Sequence, residues 1–362
     1  MHSSNQINKP RVAILITYPD PFTLQEAVGL VESSNCSVAQ VFTQKYLNHA
    51  QYGVGAGKAE EIKEFASQHN PDLIVVDEHL TSKQIFNLEK LTGSKVIDRE
   101  RLILDIFYSR ATTVEAKLQI ELAEIEYEMP RVRETAKMSS GGERAGKGGM
   151  GEYVVDVRFR DLKRRMSFIK DKLKDAQRRR DLYHQQRTKA GMPVVSLVGY
   201  TSAGKTTLFN LLTGKDKQTA SSLFTTLSTT TGLLKIDDHE ILATDTVGFI
   251  SRLPTYMIDA FKSTLEESLG ADLILLLVDV SEEIGSIRIK AGTCKQVLGQ
   301  LGTSMSKVIT VLTKTDLAPS DEEIARVVAA EMALPDPIIV SSKTGYGIRK
   351  LKNTIRQRIT SK

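Results

Sequence analysis

The stretch Met192–Leu212, MPVVSLVGYTSAGKTTLFNLL, restricts the fold more than any other part of the chain. It opens on an apolar run of strand type, breaks at Gly199, and resumes after Gly204 with helical spacing. The intervening Gly199, Tyr200, Thr201, Ser202, Ala203, Gly204, Lys205 and Thr206 match GxxxxGK[ST]. A strand that turns through such a loop into a helix is the opening of a βαβ unit, which predicts a parallel sheet. The glycines admit conformations that other residues resist and leave room for an anion. Backbone N–H groups of the loop and of the helix N-terminus, including Thr207, then cradle phosphate oxygens. Lys205 adds positive charge at the β- and γ-phosphates, and the Thr206 hydroxyl is placed to ligate Mg²⁺.

Three later loops occur in an order that fits this one. Asp245, Thr246, Val247 and Gly248 follow the predicted strand Glu240–Thr244. An aspartate at a strand end suits Mg²⁺ through a water, and the Gly248 N–H suits a γ-phosphate. Thr313-Lys314-Thr315-Asp316 follows the predicted strand Lys307–Leu312. A carboxylate at Asp316 can accept from guanine N1–H and the exocyclic amine together. Adenine offers neither donor, so a buried Asp316 would lose its partners with adenine, which is a large penalty. The stem of Lys314 would lie against the base. Ser341-Ser342-Lys343 follows the predicted strand Pro337–Val340, and its N–H groups suit guanine O6. An ATP-specific enzyme would leave Asp316 without a role, so the four loops predict a guanine nucleotide, GTP or GDP, with Mg²⁺. The segment Ser221–Thr231, SSLFTTLSTTT, is the candidate switch loop that supplies a further hydroxyl to the metal, and several threonines compete for that role. Phe249 stands where Ras-like enzymes carry a water-orienting Gln. Phe cannot orient water, so slow unassisted hydrolysis is expected, stimulated by a partner. Mg²⁺, Lys205 and backbone donors such as the Gly248 N–H would stabilise charge on the phosphates.

Periodicity divides the 362 residues into three blocks. Residues 1–110 alternate short strands (Arg11–Ile16, Ser37–Phe42, Leu73–Val76, Lys95–Ile97) with helical stretches (Thr23–Glu32, Lys58–Ser67, Ser82–Leu91), predicting a small, mostly parallel α/β sheet. Residues 111–190 read as an antiparallel helical hairpin. One helix has apolar residues at Val114, Leu118, Leu122, Ile125 and Met129 and is closed by Pro130; the other has a seam at Leu162, Met166, Ile169, Leu173, Ala176, Arg180 and Tyr183. The Gly-rich stretch Ser139–Glu152 is the expected flexible tip. Residues 191–362 predict a doubly wound, mostly parallel P-loop domain.

Charge is uneven. The net charge is +5, yet residues 157–189 carry thirteen Lys or Arg against four Asp. The clusters Lys163-Arg164-Arg165 and Arg178-Arg179-Arg180, facing outward, suit RNA phosphates. An anionic lipid surface is the poorer fit, because the helix has no Trp/Phe-rich insertion face. Two weaker signals remain. Gly55-Ala-Gly57-Lys58 is a fragment of a phosphate loop, better read as a turn opening a helix, and Asp77-Glu78 reads as surface acidity. The longest apolar run is too short for a membrane span, MHSSNQINKPR lacks the apolar core of a secretory signal, and two distant cysteines fit a reducing, cytoplasmic setting.

GYTSAGKTTLFNLLTG, LFTTLSTTT, DTVGFISRLPTYMIDAFKSTLEES, the SSKTG ending and Val96–Arg133 resemble the HflX GTPases, within the Obg–HflX group of translation-factor-related GTPases. The resemblance implies an HflX-type N-terminal domain with an attached hairpin, and a GTP switch acting on the large ribosomal subunit and its rRNA in splitting, recycling or stress rescue. It also places the switch-loop Mg²⁺ ligand at Thr226, within Phe224, Thr225, Thr226, Leu227 and Ser228. The chain departs from the family at Ser202, where bacterial members commonly carry an Asn tied to a potassium-assisted mechanism. That mechanism is not carried over. Nor are ribosome contacts made by the C-terminal extension of many bacterial members. The competing expectation is an RNA-binding or remodelling module in which the G domain is only regulatory.

Overall fold

The computed structural model describes residues 10–140, 150–189, 192–216, 223–224, 229–260, 270–317, 330 and 337–360. The chain divides into two compact units, Met1–Ser109 with Ile120–Lys170, and Arg110–Gln119 with Asp171–Lys362.

The first unit is built on β1 (Arg11–Thr17), β2 (Cys36–Thr43), β3 (Leu73–Val76) and β4 (Val96–Asp98). They pair in the order β2-β1-β3-β4, all parallel. Helices α1 (Pro21–Ser33), α2 (Ala56–His69) and α3 (Ser82–Thr92) link them. Their ends follow local chemistry. Asp20 caps α1 by accepting from Thr23 N, with Pro21 in the first turn, and Thr81 with Gln84 forms a capping box on α3. Ile14, Ile16, Ile62, Ile74, Val76 and Leu88 share one wholly buried core.

A helix that the sequence pattern left unread follows, α4 (Arg99–Arg110). Its buried residues Leu102, Ile103, Leu104, Ile106 and Phe107 are nearly contiguous. A helix buried on more than one side shows no single stripe to read.

The two long helices are α5 (Val114–Ser140) and α6 (Met150–Lys189). Pro130 was expected to close α5, but the helix runs through it. Pro130 lies on the exposed face, where water can replace the helical donor that it lacks. Of the apolar positions expected on α5, Leu122 and Ile125 are buried and Leu118 and Met129 partly shielded, while Val114, the first residue of the helix, is 77% exposed. Ala116, Ile120, Ala123 and Tyr127, at 4-3-4 spacing, are buried as well and widen the face beyond the expected stripe. The seam of α6 stands as expected from Leu162 to Arg180, with Leu162, Met166, Leu173, Ala176 and Arg180 partly shielded and Ile169 buried; the Tyr183 side chain lies outside what the structure describes. Within the first unit Glu128–Arg158, Glu121–Arg165 and Glu126–Lys170 pair at 3.5, 2.5 and 3.6 Å, so the two helices run antiparallel. Residues 141–149 of the expected tip lie outside the described residues.

The second unit carries β5 (Val194–Gly199), α7 (Lys205–Thr213), β6 (Thr230–Ile236), β7 (His239–Asp245), β8 (Leu273–Asp279), α8 (Ile284–Gln300), β9 (Val308–Thr313), β10 (Ile338–Ile339) and α9 (Ile348–Thr360). The sheet order is β10-β9-β8-β5-β7-β6, and only β6 is antiparallel to its neighbour. Every residue of β8, LILLLVD, is buried, as a central strand covered on both faces requires. Val195, Leu197, Phe209, Leu275, Leu277 and Val311 form the core. The doubly wound, mostly parallel architecture is the one expected.

Candidate functional site

From β5 the chain winds first to β6 and β7 on one side and then to β8 on the other. Loops at the carboxyl ends of strands diverge at such a reversal and leave a crevice. Gly199 ends β5, Asp245 ends β7, Thr313 ends β9, and Ser341 comes two residues after β10. The four sequence-predicted loops therefore share one sheet edge.

Gly204, at φ +84°, caps α7, so the helix starts at Lys205. Lys205 is buried, and its ammonium donates to the carbonyls of Gly199 (3.1 Å) and Tyr200 (2.7 Å). Burial lowers its pKa to about 8, against the opposing pull of Asp245. The Thr206 hydroxyl donates to Asp245 Oδ2 at 3.0 Å. A hydroxyl and a carboxylate side by side are hard oxygen donors, a set that fits Mg²⁺. Gly248 approaches the phosphate loop so closely that a Cβ there would stand 2.8 Å from Thr201 Cα and 2.9 Å from Lys205 Nζ. Gly199, at φ +152°, would place a Cβ 2.5 Å from the Leu277 carbonyl oxygen. Neither position admits a side chain.

The two loops are laced together. Phe249 N–H donates to Gly199 O (3.0 Å), and Thr201 N–H to Phe249 O (2.8 Å). Thr246 turns inward and donates to Leu197 O at 2.8 Å, while Val247 and Phe249 are buried. Of Asp245–Phe249, then, only Asp245 and the backbone at Gly248 face the crevice chemistry. Ala203 is buried and Ser202 exposed at φ +62°, a left-handed conformation in which Asn is more at ease than Ser. Thr207 is exposed on the first turn of α7.

At the base loop, Lys314 adopts φ +58° and pairs with Asp279 Oδ2 at 2.6 Å. Asp279 was missed in the sequence reading. The available signal was a lone charge ending an otherwise apolar strand. Thr313 donates to the Ala203 carbonyl at 2.8 Å and so ties this loop to the phosphate loop. Two expectations need correction. Asp316 is exposed rather than buried, its Oδ1 accepting from Ser341 Oγ at 2.7 Å. The Ser341 N–H donates to Tyr346 O (3.0 Å) to close its own turn, which leaves Ser342 and Lys343 as the donors of that loop. Phe224 is buried at φ +57°, and Thr225, Thr226, Leu227 and Ser228 lie outside the described residues.

In the basic clusters of α6 only Arg180 fails to face outward, being largely shielded against Glu115 and Gln177; Arg165 is exposed and pairs with Glu121 at the surface. Lys163 rests 5.0 Å from the Phe159 ring centroid, Arg178 stays exposed 3.4 Å from Asp175, and Arg164 and Arg179 are exposed. In the first unit Gly55 caps α2 and Lys58 pairs with Glu61, as a turn that opens a helix should. Asp77 is no surface acid; it is buried against Arg99.

Residues 22–108 match a family model described as GTP-binding GTPase N-terminal, 110–187 one described as GTP-binding GTPase Middle Region, and 194–332 one described as 50S ribosome-binding GTPase. The chain is 39% identical over 323 residues to GTPase HflX of Thermococcus kodakarensis, covering 87% of this chain and 73% of that one. To GTPase HflX of Escherichia coli it is 36% identical over 340 residues, 93% of this chain and 79% of that one. A solved GTP-binding protein from Sulfolobus solfataricus in complex with GDP shares the fold, with TM-score 0.53 and 24% identity over 97% of this chain and 99% of the other. With the phosphate loop, the DTVG turn and the base loop gathered on one edge of such a sheet, the chain belongs to the HflX GTPases and is a GTP-binding, GTP-hydrolysing enzyme.

Proposed function

We propose that the enzyme is a Mg²⁺-dependent GTP switch that associates with the large ribosomal subunit and its rRNA, and that its slow intrinsic hydrolysis is stimulated by that partner. The observation that carries the nucleotide assignment is the buried Lys205 ammonium beside the Thr206–Asp245 oxygen pair. Lys205 would leave its two loop carbonyls for the β- and γ-phosphates. Thr206 and Asp245, with Thr226 from the switch loop, would hold Mg²⁺, which when bound supplies charge neutralisation across those phosphates. The Gly248 N–H faces the γ-phosphate. Asp316 accepts from the guanine edge, the Lys314 stem lies along the base, and Ser342 and Lys343 offer N–H groups to O6. The buried Phe249 supports a low unassisted rate, because it brings no polar group to the attacking water.

The ribosomal partner is supported by the 50S ribosome-binding GTPase model matched over 194–332 and by the exposed Lys163, Arg164, Arg178 and Arg179. Splitting, recycling and stress rescue are the tasks this reading covers. Residues 1–110, 111–190 and 191–362 would serve as ribosome-facing domain, hairpin and switch. The buried free cysteines fit a cytoplasmic setting. Among the described residues no helix is long and apolar enough to cross a membrane.

Sedimentation of the full chain with ribosomal subunits tests this, with GDP, a non-hydrolysable GTP analogue or ATP, at two salt levels. The expected result is migration with the large subunit in the GTP analogue only, weakening steeply as salt rises. Equal migration in GDP and GTP analogue would overturn the switch. Control by ATP would favour an RNA-remodelling module instead.

A further inference from the structure

Bonds of two kinds join the phosphate loop to the segment after Gly248. The backbone bonds of Phe249 to Gly199 and Thr201 make an isolated parallel bridge between Tyr200 and Phe249. Another bond comes from a side chain. The Ser251 N–H donates to Tyr200 Oη at 2.7 Å. The phenol stands on a firm base. Tyr200 is buried, the Lys290 ammonium lies 5.1 Å from its ring centroid, and Lys290 is itself held by Glu282 at 2.5 Å. Gly248 lies between Thr246, bonded to the Leu197 carbonyl, and Phe249, bonded to Gly199 and Thr201, and the Tyr200 phenol extends the second grip to Ser251. The close packing of Gly248 on Thr201 and Lys205 means that any shift in 248–251 changes how its N–H stands to the phosphate loop.

We propose that Tyr200 is a positioning residue for GTP hydrolysis: by accepting the Ser251 N–H, its phenol oxygen holds the Gly248 N–H at the spacing from the phosphate loop that a γ-phosphate requires. This rests on the reading that puts the γ-phosphate at Gly248. GDP has no γ-phosphate, so the latch is silent toward it. A tyrosine that served packing alone would affect GDP and GTP equally.

The test uses the full chain with Tyr200→Phe, which removes one oxygen and keeps the ring. Single-turnover GTP hydrolysis should fall roughly five- to tenfold, the cost of losing one partly buried hydrogen bond. Preference for guanylyl imidodiphosphate over GDP should fall by a similar factor, while GDP affinity stays within about twofold of native. Ser251→Pro removes the donor from the other side. It should reproduce the pattern, and the double variant should be no worse than the stronger single one, because both delete the same bond. If Ser251→Pro fails to fold, thermal melting will show it, and Tyr200→Phe decides alone. Native hydrolysis in Tyr200→Phe, or equal losses for GDP and the analogue, overturns the latch. Lys205→Ala separates the two readings. If it handles GTP as the native protein does, the phosphate site itself is misassigned. If it is inactive while Tyr200→Phe is native, only the latch fails.

Discussion

The two units each hold a sheet, parallel in the first and mostly parallel in the second, whose chain winds both ways from an inner strand, and each sets charged residues at the carboxyl edge, but the edges are finished differently. In the first unit the charges neutralise one another. Asp77, just past β3, accepts from the Thr17 hydroxyl (2.8 Å) and pairs with Arg99 (2.5 Å), whose other nitrogen meets Glu26 at 2.6 Å. Asp98, the last residue of β4, takes Arg131 (2.6 Å), Tyr127 Oη–H (3.1 Å) and the Leu80 and Arg101 N–H groups. Burial pushes the Asp98 carboxyl up, against the pull of Arg131. In the second unit Lys205 is satisfied only by carbonyls of its own loop, and Asp316 stands open to water. Both sheets reverse their winding direction at an inner strand, the arrangement that opens a crevice at the carboxyl edge. Whether the crevice is filled from within or left for a ligand is decided by a handful of side chains, which is why fold alone does not assign function.

The comparison can be broken most sharply in the first unit. Arg99→Met leaves Asp77 and Glu26 buried without their cation, and urea denaturation should register roughly 3–5 kcal/mol of lost stability. GDP affinity should not change, since the groups lost belong to the first unit. A much smaller loss would mean that the edge is not sealed as described. The second edge predicts the opposite balance. Asp316→Asn should leave stability near native, because the carboxylate is exposed, yet weaken GDP binding about ten- to a hundredfold and erase the preference for GTP over ATP in calorimetry. An unchanged preference would remove Asp316 from base recognition. The smallest effect concerns His79, half-exposed with Nδ1 3.1 Å from Glu100. The Glu100 hydrogen bond, opposed by partial burial, raises its pKa above 6.5. Because the folded value is the higher one, its contribution is fully present below the unfolded pKa and is lost as pH rises through the folded value. The urea midpoint gap between native and His79→Gln should therefore be larger at about pH 6 than at about pH 8. A gap that does not change with pH would exclude the ion pair.

Much of the site was legible because its motifs are local. GxxxxGKT, DTVG, TKTD and SSK each sit at a strand end that apolar runs mark out, and the observed strands agree with the expected ones to within a few residues. What escaped notice was set by partners distant in sequence. Asp279 has meaning only through Lys314, and Thr313 only through Ala203. Arg165 and Arg180 read as free charges until α5 supplies Glu121 and Glu115. Helix α4 lacked a stripe because it is buried on more than one side, and the buried face of α5 is wider than its expected stripe because Ala116 and Ala123 join Leu122 and Ile125 in it.

Residue order alone determined the class of nucleotide, the parallel α/β architecture and the hairpin, since glycine spacing, strand-end carboxylates and apolar periodicity act over a few neighbouring residues. Only the folded chain decided which charges are spent inside the protein and which stay open: Asp77 and Arg99 are separated by twenty-two residues, Thr313 and Ala203 by one hundred and ten, and a hydrogen bond or ion pair over such spans exists only once packing has brought its two ends together.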